Sequence, residues 1–208
     1  MARKPTRRPG RPLGESTAQR EALLDAAAQA FAEAGREGVT LKQVADRARV
    51  SAPLASYYFG GKSGLYETVL AERLGPRFNA LLDSLRTPTG SPAATLSTFI
   101  QQFGATAARN PWMPDLMRRE PAQLARLAAL LLPLIASGQA SGEIRGDLNV
   151  QAIALSLISL CCFAWIARDT LEPALGIDLD AGGAARLTLH HLALLRSGLH
   201  KPRQESSS

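Results

Sequence analysis

Apolar residues recur at helical spacing along most of the chain. Leu23, Leu24, Ala27, Ala30, Phe31 and Ala34 line one face of a first helix, and Gly35 ends it. Ser16, with Gln19 three residues on, predicts its start as a capping box. Thr40 and Gln43 repeat that signal ahead of a short stripe of Leu41, Val44, Ala45 and Ala48. Ser51 opens a third helix that runs to about Phe59, with Pro53 in the first turn, where a missing N–H is harmless. Gly60-Gly61 stops it, and a long fourth helix is predicted from near Lys62 to about Arg86. Beyond a loop at 87–92, helices are predicted over about 93–109 (Leu96, Phe99, Ile100, Phe103, Ala107), 121–137, 149–171 and 184–199. A short element with Trp112, Met113 and Met117 lies between the first two, and Pro133 predicts a kink in the second. Loops fall at 137–147 and 172–183, and there is no internal repeat.

Composition agrees with an all-α protein. Hydrophobic residues make up 46% of the chain and aromatics 5%, so the core must be built largely from Ala and Leu, both strong helix formers. The 208 residues suffice for one large or two small domains. Residues 148–167 carry no charge, long enough to raise the question of a membrane span. Asn149, Gln151, Ser156 and Ser159 interrupt that run and nothing else resembles a second span, so it reads as a helix buried on nearly all sides. The basic start lacks the apolar segment of a secretory signal. Cys161 and Cys162 are adjacent, point apart on a helix, and read as reduced buried thiols of a cytoplasmic protein.

Charge separates two parts of the chain. Residues 1–86 hold 14 Lys/Arg against 9 Asp/Glu, a net of +5, whereas residues 87–200 hold 8 of each. The positive potential belongs to the amino-terminal part, as expected if that part alone meets a polyanion. Catalytic chemistry has no foothold. His190 and His191 sit in the apolar last helix and His200 near the tail, with no carboxylate, Ser or Cys in a catalytic spacing. No metal-ligand spacing and no phosphate-binding glycine loop occur, so no enzyme activity and no cofactor are expected. A purely structural helical protein would leave the polarised charge without a reason.

Two short helices joined by a tight turn, the second exposing small and polar residues at its start, make a helix-turn-helix unit whose second helix fits the DNA major groove. Ser51 can bond a phosphate or a base. Ala52, Pro53 and Leu54 lack hydrogen-bonding side chains, so readout through them is apolar, for instance against thymine methyls. Tyr57 and Tyr58 can offer hydroxyls to phosphates, and Lys62 adds charge at the positive end of the fourth helix.

These residues resemble the tetracycline-repressor-like (TetR) family of bacterial regulators. The resemblance rests on Ala30-Phe31, Gly35, Thr40-Leu41, Val44-Ala45, Val50-Ser51, Tyr57, Phe59, Gly60, Lys62 and Leu65-Tyr66, and covers about residues 17–77. It implies that Thr40, Ser51, Ala52, Pro53, Tyr57 and Lys62 fall where family members contact DNA, Tyr57 and Lys62 on phosphates. The chain departs from the family pattern at Pro53-Leu54, where Gly-Thr is common, and at Ala55, Ser56, Tyr58 and Gly61. Those differences bear on the operator sequence rather than on the fold.

The expected organisation is a basic arm over 1–14, a helix-turn-helix DNA-binding domain over 15–77, a larger helical domain over 78–200 and a disordered tail over 201–208. In the arm, Arg8-Pro9-Gly10-Arg11-Pro12 has the form of an AT-hook core, with Arg8 and Arg11 suited to a narrow minor groove; a solubilising tail is the other reading. For the second domain the resemblance implies effector sensing and dimerisation. The helix over 149–171 and the last helix (Leu187, Leu189, Leu192, Leu194, Leu195, Leu199) are apolar around most of their surface, as a four-helix interface across a two-fold axis requires. Phe99, Phe103, Trp112, Met113, Met117, Cys161 and Trp165 are the candidate linings for a small apolar effector, and Arg118, Arg119 and Glu120 for its polar end. The expectation is thus a regulator that binds a double-stranded, palindromic operator as a homodimer and is released by an effector, with activation as the alternative to repression.

Overall fold

The computed structural model describes residues 13–88 and 90–199. Within these the chain is helical, and it divides into two compact units, one up to Arg73 and one from Leu74. The arm candidates Arg8 and Arg11 and the tail lie outside the described residues.

The first unit contains α1 (Leu13–Ala34), α2 (Leu41–Arg47), α3 (Ala52–Phe59) and α4 (Lys62–Val69). Each helix contributes one apolar stripe to a shared core. Leu23, Leu24, Ala27 and Phe31 of α1 are buried with Val44 and Ala45 of α2, Ala55 and Phe59 of α3, and Leu65, Tyr66 and Val69 of α4. Phe31 and Tyr66 meet edge to face, with ring centroids 4.9 Å apart. Helix α1 begins before the expected Ser16 cap, so Ser16 sits inside the helix, where its hydroxyl shares a hydrogen bond with Tyr58 Oη at 2.9 Å. A local capping signal is here overridden by a partner 42 residues away.

The helical backbone runs on from α4 to Arg86, but over Leu70–Leu74 it becomes a π turn instead of the single α-helix that the periodicity predicts. Pro76 is the reason. It has no N–H to offer the Glu72 carbonyl, and its ring crowds that carbonyl, so the ladder must reorganise just upstream. Arg73, on the π turn, is buried and donates to Glu21 Oε2 (2.6 Å) and Asp25 Oδ1 (2.7 Å) of α1.

The second unit contains α5 (Gly75–Arg86), α6 (Pro92–Arg109), α7 (Met113–Arg118), α8 (Pro121–Ala140), α9 (Val150–Ile166), α10 (Arg168–Leu175) and α11 (Ala181–Leu199). Helix α6 is central, packing on α5, α8, α9 and α11. At Gly104 it approaches α11 so closely that a Cβ there would collide with Thr188 Oγ1. The helix expected over 149–171 is broken at Ala167, and α10 leaves α9 at 81°. The apolar run ends at Ile166. Arg168 and Glu172 then pair at 3.3 Å, and α10 buries none of its residues, so it has no apolar stripe with which to follow α9. Helix α8, not the 148–167 run, is the single helix among the described residues long and apolar enough by itself to cross a membrane, contrary to the sequence expectation. Its stripe of Leu127, Leu131, Ile135 and Gly138 is that of a helix laid against a core.

Candidate nucleic-acid interface

Helix α3 is presented by two well-made ends. Ser51 Oγ accepts from Leu54 N, and Pro53 occupies the first turn. At the other end Gly60 takes the left-handed conformation (φ 69°) and donates its N–H to Ser56 O at 2.8 Å. Beneath, Ala55 and Phe59 are buried; above, Ser51, Pro53, Ser56 and Tyr57 are exposed, while Ala52 and Leu54 are half-buried. Tyr57 is 82% exposed, far outside the usual range for an aromatic with a core to join.

Thr40 caps α2 in the expected manner. Its hydroxyl accepts from Gln43 N (3.2 Å), and Gln43 Oε1 accepts from Thr40 N (2.8 Å). The hydroxyls of Thr40 and Ser51 therefore already hold backbone groups, although both residues are exposed. Tyr58 is placed differently from Tyr57. Its hydroxyl donates to Ser16 O (3.1 Å) and its ring is half-buried, so this side chain ties α3 to α1.

Between Thr40 and Lys62 there are four cations, Lys42, Arg47, Arg49 and Lys62, and one anion, Asp46. Arg47 is paired with Glu33 at 2.9 Å. Lys62, at the first position of α4, is paired with Glu37 at 3.3 Å, and Glu37 is 88% exposed. An ion pair this open to water contributes about 0–1 kcal/mol, so a phosphate can take Lys62 from Glu37 at little expense. Glu37 was invisible as a partner in the sequence, because it lies 25 residues from Lys62 and no local periodicity connects them.

In the second unit the seven candidate effector residues do not all meet. Phe103, Cys161 and Trp165 come together with Ile100, Leu187 and His191 around a void of about 10 Å³ between α6, α9 and α11. That is room for about one water molecule. Phe99, Met113 and Met117 are buried but are not among its walls, and Trp112 is half-buried under the Arg77 guanidinium, 5.6 Å from the ring centroid. Arg118 pairs with Asp115 at 2.8 Å. Burial pushes the Cys161 thiol far up and the Cys162 thiol to about 12, and burial beside His190 lowers the His191 imidazole. A larger open recess of about 480 Å³ lies between the α10–α11 loop and α11, walled by Ile177, Asp178, Leu179, Arg186 and His190.

Comparison with known proteins finds a family match within each of the two units. Residues 23–69 match the family described as bacterial regulatory proteins, tetR family, and residues 118–193 match a tetracyclin repressor-like C-terminal domain. The HTH-type transcriptional regulator BetI of Escherichia coli (strain K12) is 34% identical over 198 residues, covering 86% of this chain and 95% of BetI. The HTH-type transcriptional repressor NicS of Pseudomonas putida is 27% identical over 188 residues, covering 84% of this chain and 88% of NicS. Among solved structures, the ketosteroid transcriptional regulator KstR2 of Mycobacterium tuberculosis has the same fold, with a TM-score of 0.69 at 19% identity, over 88% of this chain and 95% of that one.

Proposed function

This chain belongs to the TetR family of bacterial regulatory proteins and is a DNA-binding transcriptional regulator; from that premise we propose that it is a repressor that binds a palindromic operator as a homodimer and lets go when a small apolar effector enters its second unit. The observation that carries the DNA part is α3 itself, which offers Ser51, Pro53 and Tyr57 to solvent on a helix otherwise anchored by Ala55 and Phe59. The name of NicS as a repressor supports repression as the direction.

In this reading Ser51, Ala52, Pro53 and Leu54 enter the major groove, and Thr40, Tyr57 and Lys62 hold phosphates on its rims. Tyr58 serves instead to fix α3 on α1. Helices α9 and α11 each expose large apolar side chains, Leu155 and Phe163 on one and Leu189 and Leu194 on the other, which supports a second copy of the chain as their cover. Two protomers related by a two-fold axis set their α3 helices about 34–36 Å apart, one turn of B-DNA.

The proposed effector chamber is the void at Phe103, Cys161 and Trp165. A space of about 10 Å³ admits no organic ligand, so binding requires α6, α9 and α11 to separate. An effector that prefers the separated packing shifts the population toward it. A coupling of about 1–3 kcal/mol then weakens operator binding roughly 5- to 150-fold.

Enrichment of duplexes from a random-sequence pool by the purified protein tests the central claim. Inverted repeats with half-sites one helical turn apart are expected; an enriched pool without two-fold symmetry, or no enrichment, removes the reading. Lys62 gives a second test. Lys62→Ala weakens binding to every duplex and lowers the magnitude of the salt slope by about 1 per protomer. Glu37→Gln, which frees Lys62 and removes a negative charge, strengthens binding. Gel shifts across a salt series measure both, and a Glu37→Gln protein that binds more weakly than the parent contradicts the assignment.

A further inference from the structure

Arg49 stands in the turn between α2 and α3 with φ of 56°, alone among the described non-glycine residues in the left-handed region. There Cβ crowds the following carbonyl, and glycine is the residue that meets the requirement without strain. The turn itself demands this backbone. Arg49 N donates to Asp46 O at 3.1 Å and Val50 N to Ala45 O at 2.9 Å, and both bonds would form with any residue at position 49. The arginine side chain does nothing to secure the turn. It is exposed, and its guanidinium makes no hydrogen bond or ion pair among the described residues.

Its neighbours are spoken for. Arg47 holds Glu33, Lys62 holds Glu37 and Arg36 Nη2 donates to Ser63 Oγ. Lys42 makes no hydrogen bond or ion pair among the described residues either, but it sits on an ordinary helical backbone, where a lysine strains nothing. Among the described residues, position 49 alone keeps a cation where the backbone opposes the residue. Strain retained without any internal contact is a reason to look for an external one.

We infer that Arg49 is a DNA-contacting residue whose guanidinium engages a backbone phosphate beside the groove that α3 enters, and that fold stability is sacrificed to keep it. It lies two positions before Ser51, the cap of α3, so it travels with the end of the helix that meets the duplex. A guanidinium matches a phosphate with two parallel N–H donors, and this one has no carboxylate to leave first. The inference rests on α3 as the DNA-reading helix.

The experiment compares the full-length protein with Arg49→Gly, Arg49→Gln and Arg49→Lys. The probe is one duplex enriched from a random pool by the wild type, titrated between about 50 and 200 mM salt. Arg49→Gly and Arg49→Gln each bind roughly three- to tenfold more weakly, and each lowers the slope magnitude by about 1 per protomer. Arg49→Lys keeps most of both. Thermal melting separates the contact from the strain: Arg49→Gly melts about 2–4 °C higher than the parent while binding worse. Wild-type binding with an unchanged slope in Arg49→Gln overturns the inference, as does an Arg49→Gly protein that binds as tightly as the parent or melts lower. Failure of the wild type to enrich any duplex would strike the DNA-reading role of α3 instead, and so is told apart.

Discussion

Phe163→Glu and Leu189→Glu, introduced together, leave a protomer that sediments alone and binds its operator at least about a hundredfold more weakly than the parent. Phe163 is 60% exposed on α9 and Leu189 65% exposed on α11 in the single chain, so neither glutamate disturbs packing inside the protomer. Surface changes of that kind fall within about 0.5 kcal/mol of neutral. Across the proposed two-fold interface the same changes act twice. Each copy brings two carboxylates into an apolar contact, and every unpaired carboxylate so enclosed opposes association by several kcal/mol. The loss at the operator follows from geometry. In the proposed dimer on a palindromic operator, one half-site bound holds the second α3 at a high effective concentration over the other, and separate protomers forfeit that advantage. Analytical ultracentrifugation and gel shifts on one preparation, with circular dichroism to verify helicity, provide the measurement. A double variant that remains dimeric moves the interface elsewhere.

Phe31→Ala lowers the unfolding free energy of the first unit by about 3–5 kcal/mol. Phe31 is fully buried, and its ring meets Tyr66 edge to face, so the change removes both a large apolar volume and a favourable aromatic pairing. Domains of ordinary size hold only about 5–15 kcal/mol in reserve. A helix of eight residues such as α3 cannot persist alone, and depends on the core that Phe31 fills. Operator binding is therefore lost as the first unit melts. Both tryptophans, Trp112 and Trp165, belong to the second unit, so their fluorescence under urea reports that unit. Amide exchange along α1 and α4 reports the first. A fall of less than about 1 kcal/mol in α1 would mean that the core closes over the gap, at odds with the dense packing described.

The parts of the fold that the sequence disclosed are those encoded within a few residues. The Thr40–Gln43 box, the Ser51 cap and the Gly60 stop are local, and each stands where the spacing predicts. Helix α1 starts ahead of the cap predicted at Ser16, whose hydroxyl and carbonyl both bond Tyr58, a partner 42 residues away that no local spacing reveals. The helix predicted to 171 breaks at Ala167 because the apolar run stops at Ile166 and the residues after it bury nothing. Helix α8 outlasts the expected 137 to reach Ala140, with Gly138 packed close against Ile144 and Pro92, contacts that no local spacing reveals. Among the DNA candidates, chemistry was legible and direction was not. Tyr57 and Tyr58 are the same residue in neighbouring positions, yet one faces solvent and the other bonds Ser16. The effector candidates show the same limit, since Phe103, Cys161 and Trp165 share a void that Phe99, Met113 and Met117 do not reach.

The two adjacent thiols on α9 have a use of their own. A thiolate, not a thiol, attacks a disulfide reagent, and burial favours the protonated form of both groups. Both thiols are also buried, so slow reaction with peroxide or glutathione disulfide is the expected outcome for the closed body. They become reactive only when α9 loosens from its neighbours. The rate at which a chromogenic disulfide consumes them is then a clock for transient openings of the second unit, readable without any label. A compound that holds the helices apart speeds that clock; one that merely fills space between them slows it.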